Sequence, residues 1–386
     1  MQHRTLGSSG ARVPVLGFGL MRLPTVGGRR DTKRRCAIDV AQSTQLVHRA
    51  FDSGVNYFDT AYVYHQGWSE PVCGRILGEL PRERLLLATK LPVWLVKQPA
   101  DFERFLRTQL RRLRTPYLDF CLLHALNRRT WPAVKELGAL DFLERAKRQG
   151  RIRHIAFSFH DRLPLFRQIV DAHDWSFCQV QYNIVDTREQ AGTAGVRYAA
   201  KKGLGVVVME PLRGGALADA RAPGIRRIWQ QSRLRRKPAE LALRWVWNQP
   251  EVSMLLSGMS SLEQLEQNIA WASRARVGCL TAAEKTMVAR LQRAYRSLCT
   301  IPCTACDYCQ PCPQGIRISA AFGLYNDWQM FPDHGDTRLQ WRGLFPEGKR
   351  PSDCTECGAC ETKCPQHIPI RARLKHVAAL LEPACN

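Results

Sequence analysis

An α/β chain that closes a parallel (β/α)8 barrel and then adds a small cysteine-rich module is the fold class this sequence predicts. Three observations carry that expectation. From about residue 15 to 273, short apolar β-type runs alternate with amphipathic helical stretches. After the first run LGFGLMR is only a partial match to a glycine-rich phosphate loop, which disfavours a doubly wound open sheet. Eight cysteines stand in two runs beyond residue 300. The length of 386 residues accommodates a barrel of about 250 residues and a module of under about 100.

The strand candidates, in order, are 15–20, 56–60, 85–90, 117–124, 152–158, 177–182, 205–210 and 252–257. Helical patterns lie between them, among them 44–53, 102–113, 141–149 and 262–271. Each crossover helix must cover the sheet from outside, so eight alternations argue for closure. The Gly-, Ala- and Arg-rich segment 214–238 follows the seventh strand, and a long loop on a barrel rim is a candidate cofactor cover. Barrel residues 1–280 give way to a linking helix over 281–299, opened by Thr281 with Glu284 three residues on as a capping box. The module fills 300–386, where Trp328, Phe331, Trp341 and Phe345 are expected to pack it.

The cysteine runs carry the strongest chemical signal. Cys354, Cys357, Cys360 and Cys364 precede Pro365 as C-x2-C-x2-C-x3-C-P, and Cys303, Cys306, Cys309 and Cys312 precede Pro313. Three-residue steps let three thiolates of a tight loop reach three corners of one iron–sulfur cube. The distant fourth cysteine then completes the other cube, as in bacterial two-cluster ferredoxins. The expectation is a small α-helical ferredoxin-like iron–sulfur module with two 4Fe–4S clusters, the second run matching that signature more closely than the first. Cys312 follows a two-residue step where ferredoxins have three. Structural zinc sites usually pair two C-x2-C knuckles or mix in histidine, and disulfides need an oxidising compartment.

Composition is that of an ordinary globular chain, 45% hydrophobic. No run of eighteen apolar residues predicts a spanning helix, and MQHRTLGSSG lacks a signal peptide's apolar stretch. A reducing, cytoplasmic location is expected, with the seven other cysteines as free thiols. The net charge of +23 would suit an acidic electron carrier, anionic lipid headgroups or nucleic acid, and solvated basic faces explain it more simply. Its arginines are scattered as well as bunched at 29–30, 34–35 and 233–237, and no nucleic-acid motif accompanies them.

Four residues fall at or just past the C-terminal ends of neighbouring strands, where barrel enzymes keep their catalytic groups. Asp59 ends the second strand, Tyr64 follows it, Lys90 ends the third and His124 the fourth. Singly, a buried Asp is usually a pairing residue and a lone His a satisfied core side chain. The four together, on three neighbouring strands, are much harder to explain as isolated structural residues. A phenol with pKa of about 10 donates poorly near pH 7 unless a cation stabilises its phenolate.

Here the sequence resembles the aldo-keto reductases, from RTLGSSGARVPVLGFGLMRLP through GVNYFDTAYVYHQGWSE and LLLATK to SGMSSLEQLEQNI. EPLRGG and CPQHIPI are similar to the branch with a C-terminal ferredoxin-like module. The resemblance implies hydride transfer between NADP(H) or NAD(H) and a small-molecule carbonyl. Tyr64 would be the general acid, Lys90 with Asp59 would lower its pKa, and His124 would orient the carbonyl. It further implies that Gly19 and Met21 line the nicotinamide end and that Ser158 and Gln179 hold the carboxamide, with Phe159 where the family often has Asn. Met209 stands where the family often stacks an aromatic ring, and Glu210, Pro211, Leu212 and Gly214 pass the pyrophosphate. Ser260, Gln264, Gln267 and Asn268 fill the adenosine grip. Gly258 and Gln264 take positions where many relatives carry cations for a 2′-phosphate, and Arg274 and Arg276 are the candidate substitutes. The competing function is an electron-transfer or redox-sensing protein whose barrel binds nucleotide but turns over little.

Overall fold

The structure is a computed structural model that describes residues 1–29, 31–32, 35–332 and 335–385. Arg30 and Arg34 of the basic bunches lie outside the described residues.

An antiparallel hairpin, β1 (His3–Thr5) and β2 (Arg12–Pro14), comes first. Eight strands then close a parallel barrel in chain order: β3 (Leu16–Gly19), β4 (Tyr57–Asp59), β5 (Leu86–Leu91), β6 (Leu118–Leu126), β7 (Ile152–Phe159), β8 (Phe177–Gln181), β9 (Gly205–Met209) and β10 (Met254–Ser257), with β10 pairing back to β3. The helices are α1 (Val40–Asp52), α2 (Ser69–Leu77), α3 (Ala100–Arg112), α4 (Thr130–Glu136), α5 (Ala139–Arg148), α6 (Leu163–Asp171), α7 (Gly192–Lys201), α8 (Pro223–Gln230), α9 (Pro238–Trp247), α10 (Leu262–Ala272), α11 (Ala282–Leu298), α12 (Ile318–Met330), α13 (Gly335–Leu344) and α14 (Ile370–Cys385). Every expected strand is present within two residues of its expected ends. Helix α1 starts earlier than its apolar pattern because Asp39 caps it, accepting from the Gln42 N–H at 2.9 Å.

Strand periodicity divides the apolar side chains between two cores. Tyr57, Ala88, Phe120, Leu122, Ala156, Phe177, Val207 and Met254 fill the barrel interior. Their neighbours, such as Phe58, Leu87, Cys121, Leu123, Phe157 and Val206, face the helices. Leu6 and Val13 of the hairpin region join the interior cluster and plug one end. Its turn needs glycine: Gly7 has φ +51°, and a Cβ there would meet the Gly205 nitrogen at 2.1 Å.

The chain forms two compact units, residues 1–213 with 239–281, and residues 214–238 with 282–386. Segment 214–238, which includes α8, and helix α11 both fall in the second. There Glu284 is buried and takes the Arg236 Nε at 3.0 Å. The second unit's core gathers Phe322, Tyr325, Trp341, Phe345, Leu374 and Leu381, with Trp328 packed against it. Phe331 is buried on Tyr295, ring centroids 5.3 Å apart. Among the described residues, no helix is long and apolar enough to cross a membrane.

Candidate active site and cysteine cavities

The ends of β4, β5 and β6 deliver Asp59, Lys90 and His124 to one place. Lys90 is 1% exposed. Its Nζ donates to Asp59 Oδ1 at 2.5 Å, to the Thr60 carbonyl at 2.8 Å and to the Tyr64 hydroxyl at 3.2 Å. An ammonium has three hydrogens, so all are committed and its direction is set. Gln109 Nε2 braces the strand from behind, donating to the Lys90 carbonyl at 3.0 Å and to the buried Glu70 at 2.7 Å. Tyr64 opens a short turn in which His65 and Gln66 adopt φ of 51° and 57°. His65 holds that turn: its Nδ1 lies 2.6 Å from Asp31 Oδ2, and its Nε2 accepts from the Leu23 N–H at 3.2 Å.

Electrostatics divide the roles. Burial works against the Lys90 ammonium, but Asp59 and Tyr64 beside it outweigh that and hold its pKa above the ordinary value. Burial also raises the Tyr64 hydroxyl, and Lys90 opposes that shift without cancelling it. The expected net lowering of Tyr64 is therefore not what the surroundings produce; desolvation of the phenolate outweighs the cation. Burial, with Lys90 adding, pushes His124 well below its usual range, so its imidazole is neutral. His124 stands edge-on to Tyr64 with centroids 5.9 Å apart. The Trp94 ring, half exposed, lies 5.0 Å from His124 on the other hand.

Of the expected cofactor residues, Gln179 is the most telling. It is buried, its Nε2 lies 3.8 Å from Met209 Sδ, and among the described residues its Oε1 has no hydrogen-bond partner. Ser158 accepts from the Ala125 N–H at 2.7 Å, which leaves its hydroxyl proton to donate. Phe159 points the other way, fully buried against Phe166 with centroids 5.1 Å apart, so it does not line this place. Gly19 has no protein atom closer to a built Cβ than 3.7 Å, and Met21 is half exposed. The turn after β9 is clamped: Asn183 Nδ2 donates to the Glu210 carbonyl at 3.0 Å, and Arg213 Nε lies 3.3 Å from the buried Asp186. Pro211 and Leu212 lie within that turn, and Gly214, with φ +65°, follows it.

The expected adenosine grip is tied largely to itself. Gln264 Oε1 accepts from the Ser260 N–H at 2.9 Å, and Gln267 donates to Glu263 at 2.7 Å. Asn268 is buried and donates to Ser257 Oγ at 2.9 Å. Arg274 and Arg276 follow the C-terminal end of α10, about 16 Å of helix away from Ser260. Arg22 is the cation that packs on Gly258, its Cβ 3.2 Å from a Cβ built there.

In the second unit, the eight cysteines line two cavities in crossed sets. One is lined by Cys354, Cys357 and Cys360 together with Cys312, and Cys309 also reaches it. The other is lined by Cys303, Cys306 and Cys309 together with Cys364. Thiols ring a space in each, and among the described residues no three His, Cys, Asp or Glu side chains converge as a site for a single ion. By contrast, Cys73, Cys121 and Cys178 are buried in the barrel, which pushes their thiols up to about 12. Such thiols are inert packing groups.

Residues 15–277 match the model of the aldo/keto reductase family. The chain belongs to that family. Residues 302–368 match a 4Fe-4S dicluster domain, so this aldo/keto reductase carries an iron–sulfur domain after its barrel in the chain. The holo form of aldo-keto reductase AKR11C1 from Bacillus halodurans is similar to it with a TM-score of 0.62 at 26% identity, over 75% of this chain and 96% of that one. L-galactose dehydrogenase of Arabidopsis thaliana is 29% identical over 306 residues, 70% of this chain and 88% of that protein. The uncharacterized oxidoreductase YrpG of Bacillus subtilis is 27% identical over 316 residues, 70% of this chain and 90% of that protein.

Sequence reading missed Trp94, the Thr60 carbonyl, Gln109 and Arg22. The first had a signal, an aromatic just past the Lys90 strand. A backbone acceptor and a brace from a distant helix have none.

Proposed function

We propose that this oxidoreductase reduces an aldehyde or ketone to the alcohol at the Asp59–Tyr64–Lys90–His124 set, using NADPH or NADH. The observation that carries the reading is the Lys90 ammonium 3.2 Å from the Tyr64 hydroxyl, with Asp59 held on its far side. A nicotinamide dinucleotide, when bound, supplies the hydride. The orphaned, buried Gln179 Oε1 fits a carboxamide N–H, and the Ser158 hydroxyl fits the carboxamide oxygen. Tyr64, kept protonated by burial, donates its proton to the carbonyl oxygen. Lys90 stabilises the phenolate left behind, and Asp59 keeps Lys90 charged and aimed. Neutral His124 offers an N–H to orient the carbonyl without adding a competing cation. Trp94 gives the substrate an apolar wall on the rim.

Cys303, Cys306, Cys309 and Cys364 would hold one 4Fe–4S cluster, and Cys312, Cys354, Cys357 and Cys360 the other. The crossed cavity linings favour Cys312 as a ligand despite its short spacing. A reducing, cytoplasmic setting suits these thiols. A second reading, an electron-transfer protein whose barrel turns over little, draws on Phe159 facing away and the self-bonded Gln264. Steady-state oxidation of NADPH and NADH with an aldehyde panel separates the two. Tyr64→Phe should lower kcat/KM by about 10² to 10⁴ with the circular dichroism spectrum unchanged. Full activity in that variant would overturn the proton-donor role.

A further inference from the structure

The two cysteine cavities have Cys309 in common and differ in charge. Arg371 lines the cavity of Cys312, Cys354, Cys357 and Cys360. Asp307 lines that of Cys303, Cys306, Cys309 and Cys364. Both charges are fixed in place. Glu361 accepts from the Arg371 backbone N–H at 2.8 Å and from its guanidinium at 3.0 and 2.9 Å. A Cβ built on Gly358 would lie 3.9 Å from the Arg371 Cζ, so the guanidinium lies on the loop that carries Cys357 and Cys360. Asp307 Oδ1 accepts from Ser319 Oγ at 2.5 Å. The cavities also share a wall, since Cys309 and Ile318 line both.

We infer that the second unit is an ordered two-electron store, its Arg371 side filling first and its Asp307 side second. This rests on the reading that each cavity holds one 4Fe–4S cluster. Each filling step takes one electron from a low-potential one-electron carrier, which is oxidised by one electron. No atom changes hands. Four thiolates already make each site anionic, so the added charge is stabilised by a neighbouring cation and opposed by a neighbouring carboxylate. Glu361 offsets part of the Arg371 effect. The shared Cys309–Ile318 wall keeps the sites adjacent, so an electron entering on the Asp307 side passes to the Arg371 side. The second electron then enters against both Asp307 and the charge already stored.

The test uses the full chain purified without oxygen. Iron and sulfide analysis comes first: about eight irons per chain upholds the two-cluster reading, and four or fewer overturns that reading separately. Potentiometry followed by electron paramagnetic resonance, with dithionite as reductant, should resolve two one-electron steps. Arg371→Gln should shift the first step to lower potential and Glu361→Gln to higher, while Asp307→Asn raises the second alone. Each tenfold change in electron occupancy corresponds to about 59 mV for one electron. The opposite signs of the Arg371 and Glu361 variants separate charge from damaged packing. If Arg371→Gln loses iron, the other two variants carry the test. One shared potential, or steps that none of these charges moves, with eight irons in place, overturns the inference.

Discussion

The barrel and the cysteine module solve the problem of a buried polar site in opposite ways. In the barrel, Lys90 is buried with its partners built in: Asp59, the Thr60 carbonyl and Tyr64 satisfy it before any ligand arrives. In the module, the polar groups are thiols packed against a core of sixteen buried side chains among the described residues, Cys360 among them, and the partner proposed for them is an iron–sulfur cluster. A preformed site needs a scaffold that is stable by itself, and closed strand pairing from β3 through β10 provides one. A cage can let its contents supply the folding energy. The barrel presents chemistry; the module is completed by it.

That contrast breaks most visibly on stripping iron. Exhaustive chelation of the full chain under oxidising conditions should abolish the module's thermal transition and leave the barrel's in place. A single transition that survives chelation unchanged would mean that the thiol cages are stable when empty. Lys90→Met comes next. It leaves the Asp59 carboxylate buried without its cation, which should cost about 3–5 kcal/mol of barrel stability and most activity. The Asp59→Asn, Lys90→Met double variant should recover part of the stability and none of the activity, read by denaturant unfolding beside steady-state rates.

The smallest effect concerns pH. His124 has its folded pKa held below the ordinary value, so between that depressed value and about 6.5 the unfolded chain binds a proton that the folded chain refuses. Its contribution to stability is present above pH of about 6.5 and is lost as the pH falls, by up to about 1.4 kcal/mol per unit. Barrel melting temperature should therefore decline from pH 7.5 to 5.5, and His124→Phe should flatten the decline.

Much of this was legible in the chain. Short apolar runs located every barrel strand, because a parallel strand in a barrel is buried on both faces. The C-terminal strand ends located Asp59, Lys90 and His124, since a polar residue closing an apolar run needs a reason. Helix starts were less legible: α1 begins at Asp39, whose cap outweighs the apolar pattern. The hairpin β1–β2 escaped notice because three-residue strands carry too little period to read.

The residue order alone determined that a phenol, an ammonium, a carboxylate and an imidazole would meet at one mouth, and that eight thiols would be offered in two runs. Only the tertiary structure decided the sign of the Tyr64 shift, because desolvation depends on everything packed around a group and not on its named partner. It also decided that Arg22 and not Arg274 or Arg276 lies by Gly258, and that Arg371 and Asp307 divide the two cavities. Distance in space between residues far apart in the chain is set by packing, and no local pattern records it.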